Sequence, residues 1–204
     1  MEGRHENATL IPTEHADPGL IQIGVVVYYD DGLFRDALIA RCAAGLVASG
    51  YQLGGVVQSN AHRCGRRRCD MYMKDLLGGD EIGISLDRGK EARGCRLDPD
   101  AFARIDAWVG RAVLERVNLL IMNKFGREEA HSRGLRRVIA EALIAEIPLL
   151  IGFSTRNLRH FLTFVGYSAT RLRPDVGAIT AWCRNAIERE AQHRFQTQPS
   201  SVQA

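Results

Sequence analysis

The sequence predicts a single doubly wound α/β domain with a mostly parallel sheet. Short apolar, β-branched runs alternate with segments whose apolar residues recur at helical spacing, which is the pattern of βαβ units. Four runs are predicted as central strands, at residues 21–27, 54–58, 117–122 and 148–153. The chain has 204 residues, of which 46% are hydrophobic, and this is enough for one domain with a full core.

The first predicted strand is followed by a polar turn, a helix and the second strand. The helix is predicted from apolar residues that share one face, namely Leu38, Ile39, Cys42, Leu46 and Val47. It should end at Gly50, because glycine is favoured just after a helix. Strand, helix and strand in this order predict a parallel pair with a helical crossover.

The middle of the chain is predicted to be less regular. Residues 59–97 read as a long irregular segment with at most one short helix, near residues 71–77, and segments of this length are often functional. Asp98 followed by Pro99 then predicts the start of a helix, with the aspartate as N-cap and proline at the first helical position. A further helix is predicted at residues 133–146.

The two ends of the chain lack this periodicity. Residues 1–18 and 192–204 are predicted as a flexible N-terminal arm and a flexible C-terminal tail, which leaves residues 19–191 as the domain. The chain has no apolar run of the ~20 residues that a membrane span needs, and its acidic, polar start is unlike a signal peptide. We therefore expect a cytoplasmic protein that does not insert into a membrane.

Charge and cysteine content restrict the function further. The net charge of +3 gives no argument for binding nucleic acid. Five cysteines, an odd number, argue against a disulfide framework, and Cys42 and Cys183 lie on apolar helix faces where we expect them to be core residues. A protein partner or a homo-oligomer is left open.

Basic residues follow or adjoin the predicted strand ends, where ligands bind in parallel sheets. The candidate ligand-binding residues are Arg35, Arg68, Arg96, Lys124 and Arg156. Cations that converge at strand ends favour a small anionic ligand. The alternative is that they are ordinary surface residues, since arginine and lysine are common at any strand end.

The turn after the first strand stands where a phosphate-binding loop would lie. Such a loop reads G-x-x-x-x-G-K-[ST], because glycines let backbone N–H groups approach phosphates, lysine neutralises them and the hydroxyl holds Mg²⁺. Here the turn contains two tyrosines, two aspartates and the single glycine Gly32. The architecture therefore favours nucleotide binding, while the residues needed for hydrolysis are missing.

Several short runs resemble a bacterial family known as domain of unknown function 2478, over about residues 21–174. The runs are Arg68-Cys69-Asp70-Met71, Gly94-Cys95-Arg96-Leu97-Asp98, Leu119-Leu120-Ile121-Met122-Asn123-Lys124-Phe125-Gly126 and Arg133-Gly134-Leu135-Arg136. That family is more distantly similar to THEP1-type P-loop nucleoside-triphosphatases, and its members are often associated with molybdenum uptake and cofactor functions. The resemblance implies a P-loop NTPase-like fold with a degenerate Walker A loop and a link to molybdenum.

The resemblance also assigns positions to single residues. It places Arg35 at the loop lysine, Asp36 at the Mg²⁺-binding hydroxyl, and Asn123-Lys124 at the acidic pair of those enzymes. Glu129 matches an acidic position of the family. Asp36 and Glu129 are therefore the catalytic candidates, as metal ligand and water-orienting group. Hydrolysis is predicted to be absent or very slow. Alternatively, Asp36 only stabilises the first turn of its helix.

Three functions follow from these observations. The favoured one is an accessory protein that binds a nucleotide, phosphate or an oxyanion such as molybdate. The second is an unusual nucleoside-triphosphatase that uses Asp36 and Glu129. The third is a thiol or zinc sensor, for which the candidate ligands are His62, Cys64, Cys69 and Cys95. Their spacing argues against zinc, because structural sites normally show close cysteine pairs.

Overall fold

The computed structural model describes residues 22–28, 33–61, 69–86, 97–131, 134–165 and 169–197. Seven strands of this part form one sheet. In chain order they are β1 (Ile23–Tyr28), β2 (Leu53–Ala61), β3 (Asp70–Asp75), β4 (Glu81–Gly83), β5 (Leu119–Phe125), β6 (Leu149–Ser154) and β7 (Thr170–Arg171). Their spatial order is β4-β3-β2-β5-β6-β1-β7, with β3 antiparallel to both β2 and β4 and the other neighbours parallel.

Helices cover both faces of this sheet. They are α1 (Leu33–Ala48), α2 (Pro99–Leu114), α3 (Arg127–Ala130), α4 (Arg136–Ile144), α5 (Leu158–Val165) and α6 (Val176–Thr197), with a 3₁₀ turn at Thr155–Asn157. The buried residues of α1 and α6 pack in one apolar cluster, and those of α2, α4 and α5 pack in a second cluster across the sheet. The fold is thus α/β and mostly parallel, with a layer of helices on each face.

The chain reverses its direction across the sheet after β4. The crossover from β1 to β2 carries α1 on one face, and the later crossovers through α2, α4 and α5 run back with their helices on the other face. Right-handed crossovers require this change of face when the direction changes. As a result, β1 and its neighbour β6 are followed by helices on opposite faces. A crevice opens at the carboxyl ends of such strands.

The predicted core of the fold is confirmed. The four predicted strands form β1, β2, β5 and β6, which lie side by side at the centre of the sheet. Helix α2 begins at Pro99, and the Asp98 carboxylate accepts a hydrogen bond from the Asp100 N–H, as the N-cap prediction requires. Cys42 and Cys183 are buried.

The prediction for the middle segment is wrong in part. Residues 71–77 do not form a helix, because β3 pairs with the extended end of β2 and with β4, in the register Val56 to Asp75 and Met73 to Ile82. Pairing with an existing sheet edge outweighs the weak local preference of a Met- and Asp-containing segment. Residues 62–68 and 87–96 lie outside the described residues.

The C-terminal helix also extends further than expected. Helix α6 continues to Thr197, so an ordered helix includes Gln192, where the flexible tail was expected to begin. Glu190 is buried near this end and pairs with Arg194, four residues later, which favours continuation of the helix. Among the described helices, none combines the length and apolar character that crossing a membrane requires.

Candidate functional site

A β-bulge lies at the carboxyl end of β5, close to the crevice. The pairing of β5 with β6 joins Met122 to Ile151 and Phe125 to Phe153. Two residues, Asn123 and Lys124, therefore stand opposite the single residue Gly152. Bulges of this kind redirect side chains and are frequent beside functional sites.

Gly152 permits the close approach of the two strands at this point. A Cβ atom on Gly152 would lie 2.3 Å from the carbonyl oxygen of Asn123 and 3.1 Å from Cδ1 of Ile39. The first distance is far below a van der Waals contact, and the atom is a backbone atom that no rotamer change can move. Only glycine fits opposite the bulge.

The bulge changes the face on which Lys124 lies. Met122 and Phe125 both pack in the cluster beneath α2 and α4, although a regular strand would place residues three apart on opposite faces. Lys124 reaches the other face, where its Nζ lies 2.9 Å from Oδ2 of Asp36 in the first turn of α1. The Asp36 side chain is 3% exposed and the Lys124 side chain 25%. The pair therefore has a buried carboxylate and an ammonium that still reaches solvent.

Asn123 is the second polar residue of the bulge. It is 1% exposed, and neither its amide oxygen nor its amide nitrogen has a hydrogen-bond partner among the described residues. Nearly all buried polar groups in proteins are hydrogen-bonded. A buried amide in this state, beside a charged pair at a strand end, is a candidate contact for a ligand.

A cavity of about 330 Å³ adjoins the bulge on the β2 side. Its walls are mainly apolar and are formed by Val56, Met71, Met73, Ile84, Leu97, Phe102, Met122 and Leu135. Its polar lining residues are Gln58, Asn123, Lys124, Glu128 and Glu129. The volume falls within the range of roughly 300–1,000 Å³ that is typical of small-molecule sites.

Glu129 shapes the loop that borders this cavity. Its Oε2 accepts a hydrogen bond of 2.8 Å from the Gly126 N–H, and its Oε1 accepts one of 3.1 Å from the Leu135 N–H. Gly134 has a positive φ of 59°, and a Cβ there would lie 2.4 Å from Glu129 Oε1. Oε2 thus holds the backbone just before α3, and Oε1 holds the backbone just before α4. These contacts give no support to the hypothesis that Glu129 orients water.

The other predicted site residues are placed only in part. Arg156 is exposed on the 3₁₀ turn after β6, at the same edge of the sheet. The side chain of Arg35 and the whole of Arg68 and Arg96 lie outside the described residues. The convergence of the five cations therefore stays a prediction.

The candidate zinc ligands are also placed only in part. His62, Cys64 and Cys95 lie outside the described residues, and Cys69 is half-buried just before β3. Within the described part of the chain, no three His, Cys, Asp or Glu side chains are grouped so that they could hold a metal ion. Burial raises the pKa of Cys183 from its ordinary 9.0 to about 12, as expected for a core thiol.

Sequence reasoning missed the partnership of Asp36 with Lys124, the orphaned amide of Asn123 and the role of Gly152. Two signals in the sequence pointed to them. The polar pair Asn123-Lys124 interrupts an apolar run, and Gly152 is an isolated glycine within a strand, which often marks a bulge or a close backbone approach.

The fold and the site define the class of protein. This is a doubly wound α/β domain of the P-loop NTPase-like type, with a charged pair and a cavity at the carboxyl edge of its sheet. The chain belongs to the family described as "Protein of unknown function (DUF2478)", whose model matches residues 23–182.

One curated relative is similar to most of this chain. The chain is 32% identical over 188 residues to the "Molybdenum import ATP-binding protein ModC 2" of Bradyrhizobium diazoefficiens. The similar region covers 91% of this chain and 21% of the relative, so the chain spans about a fifth of that protein's length. No solved structure matches the chain.

Proposed function

We propose that this protein is an accessory binding protein that holds a nucleotide at the carboxyl edge of its sheet, with a link to molybdenum. The observation that carries the proposal is the arrangement at the bulge. There, Lys124 and the unpaired amide of Asn123 line a largely apolar cavity at a topological switch point.

The cavity favours a nucleotide over a bare oxyanion. Apolar walls that include Phe102 and Met122 suit a planar base, and the amides of Gln58 and Asn123 can hydrogen-bond to its edge. Lys124 can also meet a phosphate, because an ammonium has three donors and this side chain is 25% exposed. A phosphate or molybdate ion alone would leave the apolar walls without a partner.

The contacts of the catalytic candidates weigh against the nucleoside-triphosphatase alternative. Asp36 is paired with Lys124, and both oxygens of Glu129 hold backbone N–H groups. Among the described residues, no group of three or more His, Cys, Asp or Glu side chains could hold a metal ion. We therefore propose binding without hydrolysis at an ordinary rate.

The similarity to a molybdenum import ATP-binding protein supports both parts of the proposal. The name of that relative includes nucleotide binding and molybdenum. Because the similar region is about a fifth of the relative, the name describes a larger protein, and its activity comes to this chain only as part of the proposal.

Calorimetric titration with ATP, GTP, phosphate, molybdate and tungstate tests this function. We expect a nucleotide to bind with the highest affinity, since it alone fills the apolar cavity and contacts the cation. If the inorganic anions bind as tightly as the nucleotides, the oxyanion alternative is correct. If none of the five binds, the proposed function is wrong.

A neutralised variant shows whether Lys124 takes part. Asp36→Asn combined with Lys124→Gln removes both charges and leaves no unpaired buried carboxylate, so the fold should be kept. We expect about tenfold weaker nucleotide binding, in keeping with the ~1.5–3 kcal/mol of a charge-assisted hydrogen bond. Lys74→Gln, at an exposed lysine on β3, is the matched control and should bind as wild type does. Equal affinity in all three proteins would remove Lys124 from the site.

A further inference from the structure

The residues at the bulge do not fit the divalent metal that the fold class implies. In P-loop NTPases, Mg²⁺ is held by the loop hydroxyl and by an acidic side chain at the end of a neighbouring strand. The resemblance to those enzymes places Asp36 at the first of these positions and Lys124 within the second. The structure places the Lys124 ammonium 2.9 Å from the Asp36 carboxylate. A cationic side chain thus lies where the metal would have to be coordinated.

We infer that Lys124 is a built-in cation that takes the place of the divalent metal, so that this edge of the sheet works without Mg²⁺. The ammonium neutralises the same carboxylate that would otherwise hold the ion, and it presents its remaining donors to solvent at the crevice. The inference goes beyond the proposed function, because it concerns the protein with no nucleotide bound.

Burial explains why the carboxylate needs a fixed partner. The Asp36 side chain is only 3% exposed, and a buried carboxylate without a counter-charge is strongly destabilising. Mg²⁺ requires near-octahedral oxygen coordination at roughly 2.0–2.1 Å. An ammonium within hydrogen-bond distance of Asp36 takes up one side of that sphere and repels a second cation.

The backbone geometry of β5 places Lys124 beside Asp36. Without the extra residue in β5, Lys124 would share the face of Met122, beneath α2, and would point away from α1. The bulge turns it toward α1, and the bulge in turn requires Gly152 opposite it. The bulge in β5, Gly152 opposite it and the burial of Asp36 thus all contribute to one ion pair.

Thermal unfolding of the wild-type protein is the first arm of the test. Melting temperatures are compared in MgCl₂, in MnCl₂ and in NaCl of equal ionic strength, with no nucleotide present. We expect the three values to agree, because no divalent ion binds the native state. A higher melting temperature in MgCl₂ or MnCl₂ than in NaCl would overturn the inference.

The second arm of the test places an acidic residue at position 124. Lys124→Asp should convert the pair into a site for a divalent cation, so that MgCl₂ or MnCl₂ raises its melting temperature by about 5 °C or more relative to NaCl. If this variant does not fold in NaCl, Lys124→Asn, which leaves one buried carboxylate, is measured in its place. Adding Asp36→Asn to either variant should abolish the response.

The absence of a divalent-ion response in the Lys124 variant that is measured, or its persistence after Asp36→Asn, would contradict the inference. Neither arm depends on nucleotide binding, so a failed titration with ATP or GTP leaves this test intact, and a failure here leaves the titration interpretable.

Discussion

Gly152 and the two residues opposite it determine the chemistry at the end of β5. The sequence predicted Asp36 and Lys124 as separate members of a site, one a metal ligand and the other an anion-binding cation. Regular strand alternation would have kept Lys124 on the face away from α1, so their pairing depends on one extra residue in the ladder. A pattern of apolar residues predicts strands well, but it does not determine a local change of register, which depends on the pairing with the neighbouring strand.

Replacement of Gly152 tests the importance of the bulge. In Gly152→Ala the new Cβ would lie 2.3 Å from the Asn123 carbonyl oxygen, so the bulge must shift. We expect the free energy of unfolding to fall by about 1–3 kcal/mol, the usual cost of overpacking. Nucleotide affinity should fall as well, because Asn123 and Lys124 move. Chemical denaturation and calorimetry measure the two effects.

Gly45→Ala is the matched control for this prediction. Gly45 lies on an exposed part of α1, where a Cβ would meet no atom within 4 Å. The free energy of unfolding should rise by up to about 1 kcal/mol, because alanine favours a helix more than glycine does. If Gly152→Ala is as stable as Gly45→Ala and binds ligand equally well, the bulge has no structural or functional importance.

The β3–β4 hairpin is the element that sequence analysis missed, and it forms one wall of the cavity. Met71 and Met73 of β3 line the cavity, so the hairpin is part of the proposed site. Its strands carry few β-branched residues and follow a run of polar residues in the sequence, which is why local preference did not reveal them. The central strands were predictable because both of their faces are buried, which gives continuous apolar runs.

Asp75 joins the hairpin to the rest of the domain. It is fully buried at the end of β3, and its Oδ2 lies 2.6 Å from Nη2 of Arg111 on α2. Its two carboxylate oxygens also accept hydrogen bonds from the N–H groups of Leu77 and Gly78. The residue therefore fixes both the turn after β3 and the contact between β3 and α2.

Loss of this carboxylate should destabilise the protein markedly. In Asp75→Ala two backbone N–H groups and a guanidinium lose their acceptor, and we expect the free energy of unfolding to fall by about 2–4 kcal/mol. Asp80→Ala, at an exposed aspartate in the same turn region, should change it by less than about 0.5 kcal/mol. Denaturant unfolding compares the two. Equal stability of both variants would show that Asp75 is not the residue that secures the hairpin.

At the scale of the whole molecule, the order of strands and helices determines where a ligand can bind. The alternation in the sequence predicted a parallel sheet, and a parallel sheet brings the carboxyl ends of its strands to one edge. The strand order itself follows from which crossovers run in each direction, and no local pattern in the chain encodes it. The proposed site therefore requires that β1, β5 and β6 end side by side, with the cavity on the side of β2.

The central claim is that a nucleotide binds at the carboxyl edge of the sheet, around the bulge. Backbone amide resonances of the labelled protein, followed by NMR during titration with ATP, test it most directly. We predict the largest chemical-shift changes at Gln58, at residues 123–126 and at Ser154, all at that edge. Changes centred on Leu53, Leu119 and Leu149, where the same strands begin, or no changes at all, would contradict the claim.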